Sequence, residues 1–80
     1  MDNGKEMLEC YEGNIIVDNT NASVIINGFK ITGDRIFEIL QDGIWSRGQR
    51  KSSQYGQIFV GEYGTVLLTN DYLGRVIIED

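Results

Sequence analysis

The stretch that most constrains the fold is Arg35–Arg50, in which Asp42-Gly43 stands between two runs of alternating apolar residues. This arrangement predicts a two-residue β-hairpin, because a type I′ turn needs positive φ at both central positions. Such a turn fixes which residues face each other across the two strands. The predicted cross-strand pairs are Leu40 with Trp45, Glu38 with Arg47, and Phe37 with Gly48.

Gly48 is predicted to end this pairing. In the same register, the next pair on that face of the hairpin would bring Arg35 opposite Arg50, and like charges directly opposite destabilise a sheet. Gly48 is therefore predicted to mark a bulge or bend where the strand leaves its partner. We expect the ring of Phe37 to cover its backbone.

A second hairpin is predicted over Ser23–Thr32, with Asn27-Gly28 as its type I′ turn. The chain has ten glycines and no proline, and most glycines stand beside Asn or Asp, which is typical of tight turns between strands. Further strands are predicted at Tyr55–Val60, Thr65–Thr69 and Val76–Ile78.

The N-terminal segment Lys5–Tyr11 fits two structures. Acidic residues recur at every third position through Glu12, a spacing that permits a short helix. A strand is favoured, because no capping residue opens a helix. Glu12–Asn14 then predicts a turn into a strand at Ile15–Val17.

Together these segments predict an all-β fold of roughly six to eight short strands in one domain over residues 1–80. A small antiparallel meander of this kind is expected to close into a β-barrel, because closure removes exposed strand edges. One short N-terminal helix stays open as an alternative.

Composition narrows the range of functions. The net charge is −5, histidine is absent, and Cys10 is the single cysteine. Without histidine the commonest general base near neutral pH is missing, so we expect no catalysis. A metal would have to be held by carboxylates alone, and no glycine pattern has the strand-then-helix context of a phosphate loop, so we expect neither a metal nor a cofactor. No apolar run approaches the roughly 18–20 residues that cross a bilayer. A cytoplasmic protein without membrane contact is expected, since a lone cysteine excludes an intramolecular disulfide.

Two sets of residues are candidates for binding. The first is an acidic N-terminal segment with one tyrosine, which could dock on a basic protein surface. Its members are Glu6, Glu9, Tyr11 and Glu12. The second interleaves aromatic and basic side chains, as in surfaces that stack bases and neutralise phosphates. Its members are Trp45, Arg47, Arg50, Lys51 and Tyr55.

Each set also has an ordinary structural interpretation. The acidic residues could form a solvated surface, and Trp45 could belong to the core because it faces Leu40. Arg47 has a partner across the hairpin in Glu38, and the net charge of −5 opposes binding to nucleic acid. Protein binding is therefore the first expectation, and nucleic-acid binding is the alternative.

A series of landmarks resembles a small uncharacterised family encoded by phages and integrative elements of Gram-positive bacteria. The matching residues are Gly33-Asp34, Phe37–Ile39, Asp42-Gly43, Trp45, Tyr55 and Leu73–Ile78. The resemblance covers a little over half of the chain, and residues 1–32 depart from the usual opening of the family. It implies an SH3-like β-barrel and a mobile-element setting, and it implies no reaction.

The functional expectation combines this resemblance with the charge distribution. We expect a non-enzymatic accessory protein that binds a host protein, for example as an inhibitor of a nucleic-acid-handling defence enzyme. The alternatives are a nucleic-acid-binding barrel that uses the Trp45–Tyr55 surface and a self-assembling structural protein. In solution we expect a monomer or a homodimer.

Overall fold

The computed structural model describes residues 8–79, which form eight β-strands and no helix. The strands are β1 (Leu8–Asp18), β2 (Ser23–Ile26), β3 (Phe29–Ile31), β4 (Phe37–Gln41), β5 (Ile44–Ser53), β6 (Gly56–Gly61), β7 (Gly64–Leu67) and β8 (Leu73–Glu79). They form one antiparallel sheet in the order β3-β2-β1-β8-β4-β5-β6-β7, so β8 joins two meanders. The sheet curls into a half-barrel, which confirms the all-β prediction and is consistent with a small β-barrel.

Both predicted hairpins form with the predicted turns. The φ angles are 46° at Asn27 and 84° at Gly28, and they are 52° at Asp42 and 81° at Gly43. Positive φ at both central positions is the signature of a type I′ turn, whose twist matches that of the flanking strands. All three predicted pairs around Asp42-Gly43 are present in the β4–β5 ladder.

The predicted turn at Glu12–Asn14 is wrong, because β1 runs through these residues without interruption. Its first part, Leu8–Asn14, pairs with β8, and its second part, Ile15–Asp18, pairs with β2. Gly13 therefore lies near a change of partner within one long strand. A glycine beside a polar residue occurs both in turns and where one strand changes its partner, so this local signal cannot distinguish the two.

β5 changes partner in the same way, as predicted, at Gly48. It pairs with β4 up to Gly48 and with β6 from Gly48 onward, where Gly48 lies opposite Gly61. A side chain at Gly48 would lie 2.9 Å from the ring of Phe59, so the ring nearest to this glycine is that of Phe59. The ring of Phe37 packs edge-on against Phe59, with 5.1 Å between centroids. Phe59, which packs against Phe37, therefore covers the backbone of Gly48 in place of Phe37.

One face of the sheet carries the hydrophobic core and is called the inner face below. Its buried apolar residues are Ile15, Val24, Ile26, Ile31, Phe37, Ile39, Phe59, Leu68 and Val76. Alternate residues of each strand point to the opposite side, the outer face. The candidate functional residues therefore divide between the two faces according to their position in the strands.

Side chains from loops complete the ladders where strands end. The amide oxygen of Asn19 accepts a hydrogen bond from the backbone N–H of Gln57 at 3.0 Å. The amide oxygen of Asn70 accepts one from the N–H of Val17 at 3.1 Å. The bond to Gln57 matters more, because Gln57 is buried and an unpaired N–H there is costly, whereas the bond to Val17 is exposed.

Asp18 closes the turn between β1 and β2. Its carboxylate accepts hydrogen bonds from Asn21 Nδ2 at 2.8 Å, from Thr20 N at 3.1 Å and from Asn21 N at 3.2 Å. These bonds lower the pKa of Asp18 below its ordinary value of 3.8, and the bond from the Asn21 side chain has the largest effect. A lowered folded-state pKa stabilises the protein above the unfolded pKa, and that contribution is lost as the pH falls through the folded value.

Candidate functional site

Four charged side chains form one row across the outer face of four adjacent strands. The register places Glu12 of β1 beside Arg75 of β8, Arg75 beside Glu38 of β4, and Glu38 beside Arg47 of β5. Acid and base alternate along the row, so its two negative and two positive charges cancel. This arrangement does not create the strong positive field that attracts a phosphate backbone.

Glu38 and Arg75 make the contact at the centre of this row. The Nε of Arg75 donates a hydrogen bond to Glu38 Oε1 at 2.5 Å, and both side chains are half-buried. The guanidinium of Arg75 also lies 4.1 Å from the ring centroid of Trp45. The predicted pairing of Glu38 with Arg47 holds for the backbone register, but the carboxylate binds Arg75. The sequence could not show this competition, because β8 lies far from β4 along the chain.

We predict that a double-mutant cycle on Glu38→Ala and Arg75→Ala yields a coupling free energy of about 0.5–1 kcal/mol, typical of a partly exposed pair. The matched cycle on Glu38→Ala and Arg47→Ala should yield a coupling near zero. Urea unfolding followed by Trp45 fluorescence measures both cycles. A larger coupling in the second cycle would show that Arg47 is the true partner of Glu38.

A small cleft lined by both apolar and charged side chains adjoins the ion pair. Ile36 and Ile77 are 46% and 50% exposed, and both line this cleft of about 70 Å³ together with Glu38 and Arg75. The two isoleucines are among the eight large hydrophobic side chains that are exposed in the described residues, and burying both against a partner would be favourable. We name the group Trp45, Glu38, Arg75, Ile36 and Ile77 the outer-face cluster.

The acidic set predicted from the sequence does not form one patch in the described residues. Leu8–Tyr11 is strand, as favoured, so Glu9 and Glu12 point to opposite faces of the sheet. Both are exposed, whereas Tyr11 is half-buried and packs on Phe29 with 5.0 Å between ring centroids. Glu6 lies outside the described residues.

The basic and aromatic set is also divided. Trp45, Arg47 and Lys51 lie at alternate positions of β5 that face outward, and Arg50 faces inward opposite Phe59. Tyr55 is 75% exposed in the turn after β5, far from Trp45 at the other end of that strand. The structure therefore does not bring these five residues onto one stacking surface.

Arg50 belongs to a polar network on the inner face. Its Nη1 donates a hydrogen bond to Gln57 Oε1 at 2.6 Å, and Gln57 Nε2 donates one to Ser52 Oγ at 2.9 Å. Gln57 is buried, so the network satisfies groups that would otherwise be costly. Arg50 thus has a structural role, which the sequence did not predict.

Three members of the outer-face cluster were missed in the sequence. Arg75 and Ile77 belong to the landmark stretch Leu73–Ile78, but they were not predicted as binding residues, and neither was Ile36. Alternation along β8 already places Arg75 and Ile77 on one face. Only the ladder between β4 and β8 brings them beside Ile36 and Glu38. No local signal could have found that contact.

Other classes of site find no support in residues 8–79. Within this range no group of three or more His, Cys, Asp or Glu side chains is placed to hold a metal ion. In the same part of the chain, no helix has the length and apolarity to span a membrane.

Comparison with known proteins found no match to any family model, curated protein or solved structure. The small phage-encoded family therefore stays a resemblance based on the landmarks quoted above.

Proposed function

We propose that this protein is a non-catalytic accessory protein that binds another protein through the outer-face cluster. The observation that carries the proposal is the pair of exposed isoleucines, Ile36 and Ile77, at a cleft beside an arginine stacked on a tryptophan. Binding energy at protein interfaces concentrates on aromatic and arginine side chains at the centre of the contact. The Glu38–Arg75 ion pair beside these isoleucines places charged and apolar side chains next to each other, as at the border between the core and the rim of an interface.

Protein binding is favoured over nucleic-acid binding by the electrostatics of this face. The row Glu12, Arg75, Glu38 and Arg47 is neutral as a whole, and one face of the Trp45 ring is covered by Arg75. A base would have to displace that arginine in order to stack on the same side. A protein partner requires only apolar side chains for the cleft and charges that complement the row.

The setting implied by the sequence resemblance makes a host protein the partner. The net charge of −5 favours a partner with a basic surface. Nucleic-acid-handling defence enzymes have basic channels, so we propose that the protein inhibits an enzyme of this class. Glu9 and Glu12 lie on opposite faces, so the attraction would come from the charge of the whole chain. Electrostatic steering of this kind raises the association rate and weakens with salt.

The proposal is tested by capture from a lysate of the encoding organism with the immobilised wild-type chain, Ile77→Lys and Ile16→Lys. Ile16 is a matched control, because it is also exposed on the outer face, at 54%. It lies about 20 Å along β1 from Cys10, the residue that pairs with Ile77. We expect the wild type and Ile16→Lys to bind one identified protein equally. Ile77→Lys should weaken its purified complex at least tenfold in calorimetry.

Equal binding by all three chains would contradict the proposed face. The alternative function is measured on the same proteins by titrating Trp45 fluorescence with single-stranded and duplex DNA and RNA at low salt. We expect no change in fluorescence. Quenching that disappears in Arg47→Ala would overturn the proposal in favour of nucleic-acid binding.

A further inference from the structure

β3 and β7 are the two edge strands of the described sheet, and they differ in their protection. β3 carries Lys30, whose charge discourages pairing with another chain. β7 has the sequence Gly64-Thr-Val-Leu67, without charge and without proline. It therefore relies on its short length, and not on charge or proline, to discourage edge-to-edge contact.

The hydrogen-bonding groups on the free side of β7 can be assigned from the ladder. The N–H of Leu68 donates to the carbonyl of Gln57 at 2.9 Å, so residue 68 faces β6. Backbone groups alternate along an antiparallel strand, and Val66 therefore also faces β6. The N–H and C=O groups of Thr65 and Leu67 point away from the sheet.

Uncharged side chains lie on and beside this free edge, whereas Glu62 in the β6–β7 turn is charged and exposed. Val60 pairs with Thr65 and is 38% exposed, and Leu67 on the edge itself is 46% exposed. Tyr63, at the tip of the β6–β7 hairpin, is 70% exposed. We name Val60, Tyr63, Thr65 and Leu67 the edge strip.

We propose that two copies of this chain associate through β7, edge to edge and antiparallel, about a two-fold axis at Val66. Thr65 of each copy then faces Leu67 of the other, and four backbone hydrogen bonds satisfy every outward group of these residues. A two-fold contact of this kind is self-complementary, because the same strip serves on both sides. On the outer face, Thr65 of one copy then lies between Val60 of the same copy and Leu67 of the other, so uncharged side chains meet across the joint.

The small size of the contact and the charge of the chain determine how this dimer behaves. Four residues of strand extend only about 13 Å, which is short for a standard protein interface. We therefore expect a concentration-dependent dimer rather than an obligate one. Each copy carries a net charge of −5 and the strip carries none, so added salt should strengthen the dimer by screening repulsion between the copies.

Sedimentation equilibrium of the purified chain between about 10 µM and 1 mM, at low and high salt, tests the proposal. Thr65→Lys should weaken self-association at least tenfold by placing a charge in the strip. Thr32→Lys is the matched control, because it makes the same change at an exposed position after the other edge strand and should leave self-association unchanged. A monomer at all concentrations, or equal effects of both variants, would overturn the proposal.

The register is tested by cross-linking in a Cys10→Ser background. Val66→Cys should form a disulfide between copies under mild oxidation, because residues on the two-fold axis face each other as a close pair. Thr65→Cys should not, because the two copies of this residue lie about 8 Å apart, beyond the reach of a disulfide. The reverse pattern would exclude the proposed pairing. Since only the isolated chain is used, failure here leaves the proposed partner-binding face untouched.

Discussion

Gly48→Ala is expected to lower the free energy of unfolding by about 3 kcal/mol or more, enough to unfold much of a small domain. A Cβ at this position would collide with the carbonyl oxygen of Val60 and would lie 2.6 Å from the Cα of Gly61. These are backbone atoms of the neighbouring strand, so no side-chain rotation relieves the overlap. The β5–β6 ladder would have to separate where β5 changes partner.

Gly13→Ala is the matched control, since Gly13 also lies near the partner change of a long strand and faces another glycine, Gly74. A Cβ there would lie 3.4 Å from the Cβ of Asn27, close to ordinary contact. We expect a change within about 0.5–1 kcal/mol, because the lower entropy of the unfolded chain offsets minor crowding. Urea unfolding of both variants, followed by Trp45 fluorescence, measures the difference. Equal stability of the two would contradict the close approach of β5 and β6.

Asn19→Ala is expected to destabilise the protein by about 1–3 kcal/mol, because it leaves the N–H of Gln57 without a partner. This N–H donates to Asn19 Oδ1 at 3.0 Å, and Gln57 is only 3% exposed. Water therefore has little access to replace the lost acceptor. The β1–β2 turn and the β5–β6 turn should separate, and the amide proton of Gln57 should exchange faster with solvent.

Two variants separate this hydrogen bond from other effects at the same place. Asn19→Asp keeps an acceptor oxygen and should retain most of the stability. Gln54→Ala removes an exposed amide from the surface cleft that Asn19, Gln54 and Gln57 line together, and it should change stability by less than about 0.5 kcal/mol. A loss in Asn19→Asp as large as in Asn19→Ala would show that the acceptor is not what stabilises this end of the half-barrel.

The candidate site illustrates how far sequence patterns reach. The cross-strand pair of Trp45 with Leu40 was predicted correctly. The contact of Trp45 with Arg75 was not predicted, because β8 enters the sheet between two meanders that lie apart from it in the sequence. The i, i+3 spacing of Glu9 and Glu12 indicated a common face only for a helix, and the strand places them on opposite faces.

Although β1 runs through a turn predicted at Glu12–Asn14, the sequence by itself determined the two type I′ turns and the pairs within each of those hairpins. These features depend on residues close together in the chain, where positive φ at Asn27-Gly28 and Asp42-Gly43 and the period of two leave few alternatives. Only the tertiary structure decided that β8 lies between β1 and β4, that Glu38 binds Arg75, and that β7 is left as an open edge. The curvature of the whole sheet selects those neighbours, and it depends on close approaches such as Gly48 to Gly61 that act across the fold.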